Sequence, residues 1–340
     1  MMRRILFSGI NVLALVGLLA APMTARGETV NMAMDWILNG KHSPFFMGID
    51  KGFYKKAGID VKINRGFGSS NTVKDVASGA TAYGFADSGS VIIGKGRGAK
   101  VKILGIIHDK LPHVLYSLAK TGIKTPADLK GKTIGAPVGD AVRTIFPAFA
   151  RTNGLKPGSD YSWLTISPAA KPPSLLSGKV DVITNYATDG PPLFTKAAKL
   201  GKKINVIAFP DWGVDIYSNG FVTQENRIRS NPGQVRRVVD AVFRSWAWAV
   251  ENPTETIDLY INYVPAISKD LARKQLAIAI DLLMTKNAKK HGIGFVVKSK
   301  MDKTIDIIAK YMSDKLKSRP SGKDVYTNEF LPKLFPKRKM

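Results

Sequence analysis

The sequence predicts an α/β protein of two lobes, each with an open, mostly parallel sheet flanked by helices. Short apolar runs alternate with amphipathic stretches after the N-terminal apolar segment, and this order is typical of strands connected by helices. Two such sets follow one another without a Gly/Ser-rich linker. We therefore expect residues 28–115 and 218–340 to form lobe I and residues 116–217 to form lobe II. We expect the chain to cross between the lobes at 111–117 and 214–222.

Each element is predicted from the period of its apolar residues and from the Gly and Pro residues that interrupt them. In the first set we predict strands at 29–34, 59–64, 82–86 and 101–108, with helices at 44–57, at 71–78 and from Val91. In the second set we predict a capped helical turn at 125–129, strands at 133–136, 161–166, 180–184 and 204–209, and helices at 140–152, 172–177 and 193–199. An extended segment at 215–222 and helices at 234–251, 253–264, 269–283 and 300–315 complete the chain.

The first 27 residues have the order of a secretory signal peptide. Arg3 and Arg4 precede an apolar run, and small residues at Ala25 and Gly27 follow it, as in segments that are removed on export. The uninterrupted apolar part, residues 12–21, is shorter than the ~20 residues that a membrane-spanning helix needs. We expect a signal peptide at 1–27, export by the general secretory route and a periplasmic mature protein.

The composition excludes several chemistries. The chain has no cysteine, so disulfides, thiolate metal sites and a cysteine nucleophile are excluded. It has four histidines, none of them four residues from another, and no Gly-x-Ser-x-Gly sequence that would mark a serine nucleophile. We therefore expect no metal site, no catalytic residues, no cofactor and no enzyme activity.

The formal net charge of +25 raises the question of a nucleic-acid partner. The 51 Lys and Arg residues are spread along the whole chain, and no basic motif interleaved with aromatic residues occurs. We expect no nucleic-acid partner. The charge is instead suited to solubility, to steering of anions or to contact with acidic surfaces.

Four strand-to-helix turns carry candidate ligand-binding residues, because open α/β sheets place ligands at the carboxyl ends of their strands. The first turn holds Asp35, Trp36, Asn39 and His42; the second holds Gly68, Ser69, Ser70, Asn71 and Thr72; the third holds Asp87 and Ser88; the fourth holds Pro137, Val138 and Arg143. Four further candidates follow later strands of the second set: Asn185, Tyr186, Asp189 and Trp212.

These residue types suit more than one role. Trp36 can stack on a planar ring while Asp35 accepts from its amine or amidine, or Trp36 lies in the core and Asp35 caps a turn. His42 is expected to form local hydrogen bonds rather than to bind a metal. The hydroxyls that begin helices suit an acceptor-rich ligand, or are ordinary N-caps. Arg143 can bind a carboxylate or sulfonate, pair with Asp140 or lie in solvent.

Several of these segments together resemble a known family. The motif Asp35-Trp36-x-x-Asn39-x-x-His42 is followed by similar segments at 52–61, 82–87, 128–135 and 178–182. In this order they resemble the solute-binding proteins of ABC importers, in the branch named for sulfonate, taurine and thiamine-pyrimidine precursors.

The resemblance implies a type II periplasmic binding fold whose two hinged lobes close over a small molecule and deliver it to an ABC permease in the inner membrane. It implies a monomer and ligand contacts from the four turns. The Asp35-Trp36 start is similar to the thiamine-pyrimidine group and implies a flat heteroaromatic ligand. Two alternatives remain: a sulfonate or aromatic carboxylate, if Arg143 faces the cleft, and an enzyme on this fold. The eukaryotic relatives that make the pyrimidine use a cysteine-rich iron motif, which this chain lacks.

Overall fold

The computed structural model describes residues 27–338. The predicted signal peptide lies outside the described residues, except for Gly27. The strands are β1 Glu28–Ala33, β2 Ile59–Asn64, β3 Tyr83–Asp87, β4 Val101–Ile106, β5 His113–Leu118, β6 Lys132–Ala136, β7 Tyr161–Thr165, β8 Val182–Tyr186, β9 Ile204–Ala208 and β10 Asn219–Gln224.

The helices cover the faces of the sheets and form most of the C-terminal third. The α-helices are α1 Ser43–Asp50, α2 Phe53–Lys56, α3 Ser69–Ser78, α4 Ser88–Gly96, α5 Ala141–Thr152, α6 Lys171–Ser177, α7 Gly190–Lys199, α8 Glu225–Ser230, α9 Pro232–Glu251, α10 Pro253–Tyr260, α11 Lys269–Leu283, α12 Lys286–His291, α13 Lys298–Tyr311 and α14 Gly322–Val325. Short 3-10 helices lie at Gly40–His42, Ala119–Thr121, Pro126–Leu129, Pro168–Ala170, Ala187–Asp189, Phe209–Trp212 and Ser313–Lys315.

The strands form two five-stranded sheets, one in each lobe, in the orders β2-β1-β3-β10-β4 and β7-β6-β8-β5-β9. In the first sheet β10 runs antiparallel to both of its neighbours, and in the second sheet β5 does the same. The other pairings are parallel. The predicted two-lobed α/β fold is therefore confirmed, and each lobe's sheet contains one reversed strand.

The reversed strands are those that follow the two crossings. β4 ends at Ile106 in the first sheet, and β5 begins at His113 in the second. The chain leaves the second lobe after Trp212 and re-enters the first sheet at Asn219. The sequence predicted that the second lobe begins at 116, but β5 of the second sheet begins at His113. The side chains of His113 and Ser117 are polar yet buried, so β5 lacks the apolar pattern that marks a strand.

The predicted helix at 44–57 is wrong as a single element, because the structure contains two helices, α1 and α2. The chain turns at Gly52, which adopts φ 69°, a left-handed conformation that glycine enters without the steric cost of a Cβ. The break lets α1 and α2 both pack on α9.

The C-terminal helices complete the core of lobe I. Trp246 of α9 is fully buried, and its ring meets Phe45 of α1 edge to face at 5.7 Å between centroids. On the other side α13 packs against α4 of lobe I and α5 of lobe II. Along residues 27–338 no helix combines the length and the apolar character that crossing a bilayer requires.

Candidate functional site

A small cavity lies between the lobes, at the ends of β1 and β8. Its walls are Asp35, Trp36, Lys41 and Ser69 of lobe I, with Asp140, Ala141, Lys171, Tyr186 and Asp189 of lobe II. The cavity volume is ≈ 20 Å³, about the space of one water molecule. The two lobes are therefore closed on each other here.

The Asp35 carboxylate is held by three side-chain hydrogen bonds. Its carboxylate accepts hydrogen bonds from Lys41 Nζ at 2.8 Å, His42 Nε2 at 2.7 Å and Asn219 Nδ2 at 2.9 Å. Burial alone would raise the pKa of Asp35, but the charge of Lys41 and the hydrogen bond from His42 outweigh it and hold the pKa well below its usual range. Asp35 therefore stays ionised and organises the turn that follows β1.

The tautomer of His42 follows from its two partners. Nδ1 accepts from the backbone N–H of Asn39 at 3.1 Å, so the proton is on Nε2 and is donated to Asp35. Burial lowers the pKa of His42, which its contact with Asp35 only partly opposes. His42 is thus a neutral positioning residue, in agreement with the expectation of local hydrogen bonding.

Lys171 joins the two walls of the cavity. Its ammonium lies 2.9 Å from Asp140 Oδ2 and 4.8 Å from the centre of the Trp36 ring. The side chain is 2% exposed. Asp140 also accepts from the backbone N–H of Arg143 at 2.9 Å and so caps α5. Burial would raise the pKa of Asp140, but Lys171 and this hydrogen bond lower it below its usual value.

Tyr186 forms another contact between the lobes. Its hydroxyl donates to Asn219 Oδ1 at 2.8 Å, and Lys41 Nζ lies 4.5 Å from its ring centroid. The His113 ring also stacks on Tyr186, 4.9 Å between centroids. Burial raises the pKa of Tyr186 well above its usual value, so the phenol remains protonated.

Asp189 is the carboxylate of the cavity with the fewest partners. It accepts from Asn39 Nδ2 at 3.1 Å, and no ion pair to it occurs within residues 27–338. Removal from water raises the pKa of Asp189, although Lys41 and Lys171 oppose that effect. Asp189 therefore keeps unused acceptor capacity beside the indole of Trp36.

The charges of the cavity do not favour an anion. Three carboxylates, of Asp35, Asp140 and Asp189, line it together with the ammonium groups of Lys41 and Lys171. Each ammonium is within 3 Å of one of those carboxylates. The site therefore offers more negative than positive charge to a molecule that enters it.

An outer groove of ≈ 350 Å³ opens beside the cavity and shares Trp36, Lys171 and Asp189 with it. Asn39 and Asn185 also line this groove. Because the same three side chains face both spaces, a molecule in the outer groove reaches the cavity when they move apart.

The predicted site residues divide into three groups. Asp35, Trp36, Ser69, Tyr186 and Asp189 line the cavity, and Asn39 and Asn185 line the outer groove.

A second group of predicted residues stabilises the structure around the cavity through hydrogen bonds. Thr72 donates to Met34 O, Asn71 donates to Phe67 O, Ser88 donates to Ser218 O, and Asp87 accepts from Ser90 N–H to cap α4. Ser70 Oγ lies 3.0 Å from Thr144 Oγ1, where α3 meets α5.

The third group lies away from the cavity or packs without polar contacts to it. Pro137 is buried and Val138 is 71% exposed. Trp212 packs against the large apolar core that both lobes share. Arg143 donates to Ala136 O at 2.8 Å, and its guanidinium lies 4.7 Å from the Trp163 ring centre. Of the three roles left open for Arg143, binding an anion in the cavity does not agree with this position.

Gly68 is a point of close approach between the lobes. It adopts φ 116°, and a Cβ placed there would lie 2.1 Å from Gly139 O. Glycine is required for both reasons, since other residues disfavour this conformation and their side chains would separate the lobes.

Sequence reasoning missed Lys41 and Lys171 as site residues. Lys171 begins α6, where the helix dipole disfavours a cation, and this unfavourable placement was the available signal. Lys41 lies between Asn39 and His42, which were both selected. Within the described part of the chain, no group of three or more His, Cys, Asp or Glu side chains is arranged to hold a metal ion.

Two α/β lobes joined by two crossings, with a buried polar site between them, define the type II periplasmic binding fold. The chain belongs to the family described as NMT1/THI5 like, whose model matches residues 39–256. The alkanesulfonate-binding protein SsuA of Xanthomonas axonopodis pv. citri shares the fold, with a TM-score of 0.68 and 14% identity over 88% of this chain and 98% of that one.

Curated relatives carry names of both binding proteins and enzymes. The riboflavin-binding protein RibY of Chloroflexus aurantiacus is 23% identical over 90% of this chain and 86% of its own. The formylaminopyrimidine-binding protein of Halalkalibacterium halodurans is 23% identical over 78% and 79%. A 4-amino-5-hydroxymethyl-2-methylpyrimidine phosphate synthase of Saccharomyces cerevisiae is 24% identical over 73% and 75%.

Proposed function

We propose that this protein is the extracytoplasmic solute-binding component of an ABC importer. It captures a small planar heteroaromatic molecule, similar to a thiamine-pyrimidine precursor, between its lobes and delivers it to a membrane permease. It acts as a periplasmic monomer after removal of residues 1–27. The observation that carries the proposal is the position of Lys171, whose ammonium lies between the Trp36 ring and the carboxylate of Asp140.

That position identifies the type of group which the site accommodates. An indole face attracts cations and stacks on flat rings, and a buried carboxylate accepts from N–H donors. An aminopyrimidine has a flat ring that can stack on the indole, and its amino group, in the plane of that ring, can donate to the carboxylate. When Lys171 withdraws, a ring can lie on Trp36 with its amino group directed to Asp140 or Asp189, both of which line the cavity.

Entry requires motion. A cavity of ≈ 20 Å³ is smaller than an aromatic ring, so the lobes must separate or Lys171 must move toward the outer groove. Beside the cavity, polar contacts join the lobes, among them Asn39 with Asp189 and Ser70 with Thr144. Elsewhere α13 packs on both α4 and α5, and one apolar core continues across the lobes. Hinge opening therefore requires these polar contacts to exchange with water and part of the shared apolar packing to rearrange.

The geometry gives less support to a sulfonate or an aromatic carboxylate in this cavity. Arg143 faces Trp163 rather than the cavity, and both lysines there are already paired with carboxylates. The relatives named as binding proteins for riboflavin and formylaminopyrimidine are consistent with a heteroaromatic ligand.

Isothermal titration of the mature protein tests the proposal. The compounds are 4-amino-5-hydroxymethyl-2-methylpyrimidine, riboflavin, an alkanesulfonate and benzoate. We expect saturable binding of a heteroaromatic compound and its recovery unaltered after the titration. Tighter binding of the sulfonate or benzoate that Trp36→Ala weakens would place that anion in the cavity and contradict the ligand class. Chemical conversion of the bound compound would contradict the binding role.

A further inference from the structure

A second groove lies where α3 and α4 of lobe I face α5 of lobe II. Its volume is ≈ 590 Å³, within the range of small-molecule sites. It is lined by α3 and α4 of lobe I, by α5 and Trp163 of lobe II, and by Met312 and Lys315 after α13. No residue lines both this groove and the cavity.

The groove has an apolar surface that includes an aromatic ring. Val73, Ile93 and Met312 are buried side chains of its wall, and Trp163 is half-buried at its lobe II side. The Arg143 guanidinium lies over the Trp163 ring at 4.7 Å and is held there by Ala136 O and Thr165 Oγ1. A fixed guanidinium beside an indole can contact an aromatic ring and an attached anionic group together.

The charged side chains of the groove all have one sign. Lys74, Arg97, Arg143 and Lys315 line it, and no Asp or Glu does. Among residues 27–338, only Lys315 of these four forms an ion pair, with Asp314 at 3.4 Å. The groove is therefore electrostatically opposite to the cavity, which carboxylates dominate.

One buried polar group of the groove has no partner. The Ser90 hydroxyl lines the groove, its residue is 3% exposed, and the described residues offer it no hydrogen bond. Buried hydroxyls in native proteins are nearly always satisfied. Because the oxygen itself is buried, the Ser90 side chain must rotate toward the groove to donate to an oxygen of a bound anion.

We propose that this groove is a second binding site, for an aromatic carboxylate. The ring lies against Trp163 and the apolar wall, and the carboxylate is bound by Arg143 and Lys74 and accepts from Ser90. The inference is independent of the ligand proposed for the cavity. Anion binding, one of the three roles left open for Arg143, would then take place outside the cavity.

Titration of the mature protein with 2-naphthoate and with its neutral counterpart 2-naphthamide tests the proposal. We expect saturable binding of naphthoate, at least tenfold weaker binding of naphthamide, and weakening of naphthoate binding as salt increases. No saturable binding of naphthoate, or equal binding of both compounds, would overturn the proposal.

Variants locate the bound naphthoate. Lys74→Gln changes an exposed residue of α3, and Ser90→Ala removes the unpartnered hydroxyl, so neither should impair folding. Each should weaken naphthoate binding by fivefold or more, and Trp163→Leu should weaken it further. Trp36→Ala should leave it unchanged. If Trp36→Ala abolishes naphthoate binding while Lys74→Gln and Ser90→Ala preserve it, the anion occupies the cavity and the second site does not exist.

Discussion

Lys171 of lobe II places its ammonium 4.8 Å from the centre of the Trp36 ring of lobe I, while 2.9 Å from Asp140. The protein thus uses one of its own cations both to contact the indole face and to pair with the buried carboxylate. A ligand that replaces this ammonium must both contact the indole face and supply N–H donors to Asp140.

The ion pair of Lys171 and Asp140 should stabilise the fold, because either side chain would be a buried, unpaired charge without the other. Lys171→Met leaves the Asp140 carboxylate buried and unpaired, which costs about 3–5 kcal/mol in the free energy of unfolding. Asp140→Asn together with Lys171→Met should recover most of that loss, because the amide oxygen still caps α5 at Arg143. Urea unfolding of the two single variants and the double variant measures the coupling. Additive losses would contradict a direct pair.

Trp36 should provide stacking energy to the bound ring. Trp36→Ala should weaken binding of the heteroaromatic ligand by about 1–3 kcal/mol, with base–aromatic stacking as the reference. Trp248→Ala is the matched control, because Trp248 is half-buried on α9 and contacts Lys51 instead of the cleft. Calorimetry measures the affinity of each variant for the heteroaromatic ligand. An equal loss from both, or no loss from Trp36→Ala, would show that the ring does not stack there.

Gly68 should control closure of the lobes. Gly68→Ala places a methyl group against Gly139 O, so we expect at least a tenfold loss of affinity and a larger radius of gyration of the liganded protein in small-angle scattering. Gly98→Ala is the control, since Gly98 has φ 102° and open space around its Cβ position. It carries the same kind of backbone strain without the contact. If Gly98→Ala impairs binding equally, strain rather than closure explains the effect.

His108 should make the protein less stable in acid. Burial, aided by the charge of Lys41, lowers its pKa from 6.5 to about 3. The unfolded chain therefore takes up a proton at a higher pH than the folded protein does. The free energy of unfolding then decreases as pH falls from 6.5 to about 3, by up to about 1.4 kcal/mol per pH unit.

His108→Leu should remove that contribution, so its unfolding free energy should depend less on pH across the same window. Denaturant unfolding at several pH values gives both curves. A second variant, His108→Gln, tests whether the change reflects loss of the titrating ring rather than repacking against Phe85, which contacts it edge to face at 5.2 Å. Parallel curves for the protein and both variants would contradict a buried neutral imidazole.

Local patterns predicted many elements well because apolar period and capping residues act within a few positions. The predicted strand 59–64 and helix 269–283 have the observed bounds of β2 and α11, and Asp140 caps α5 as its sequence suggests. β5 was missed as a strand because two of its buried residues, His113 and Ser117, are polar. Their environment is provided by the other strands of lobe II, which local sequence does not describe.

The same contrast between local sequence pattern and the environment in the folded chain applies to the site residues. Asp35 and Trp36 could be selected because an acid and an indole together at a strand end are unusual. Ser69 was selected as a hydroxyl at a helix start, and Tyr186 and Asp189 because they follow a strand. Lys41 was not distinguished in a chain with 51 Lys and Arg residues, and Lys171 differed from the others only by its place at the start of a helix. Their burial depends on carboxylates that only the folded chain brings within reach. Arg143 illustrates the converse, since its place beside a predicted turn did not determine which side of α5 its guanidinium faces.

The most direct test of the central claim is a crystal structure of the mature protein with the tightest-binding compound of the titration panel. The account predicts a flat heteroaromatic ring against Trp36, with N–H groups directed to Asp140 or Asp189, Lys171 displaced and the lobes closed. A compound bound elsewhere with Lys171 still between Trp36 and Asp140, or an anion held in the cavity by Lys41 and Lys171, would contradict it.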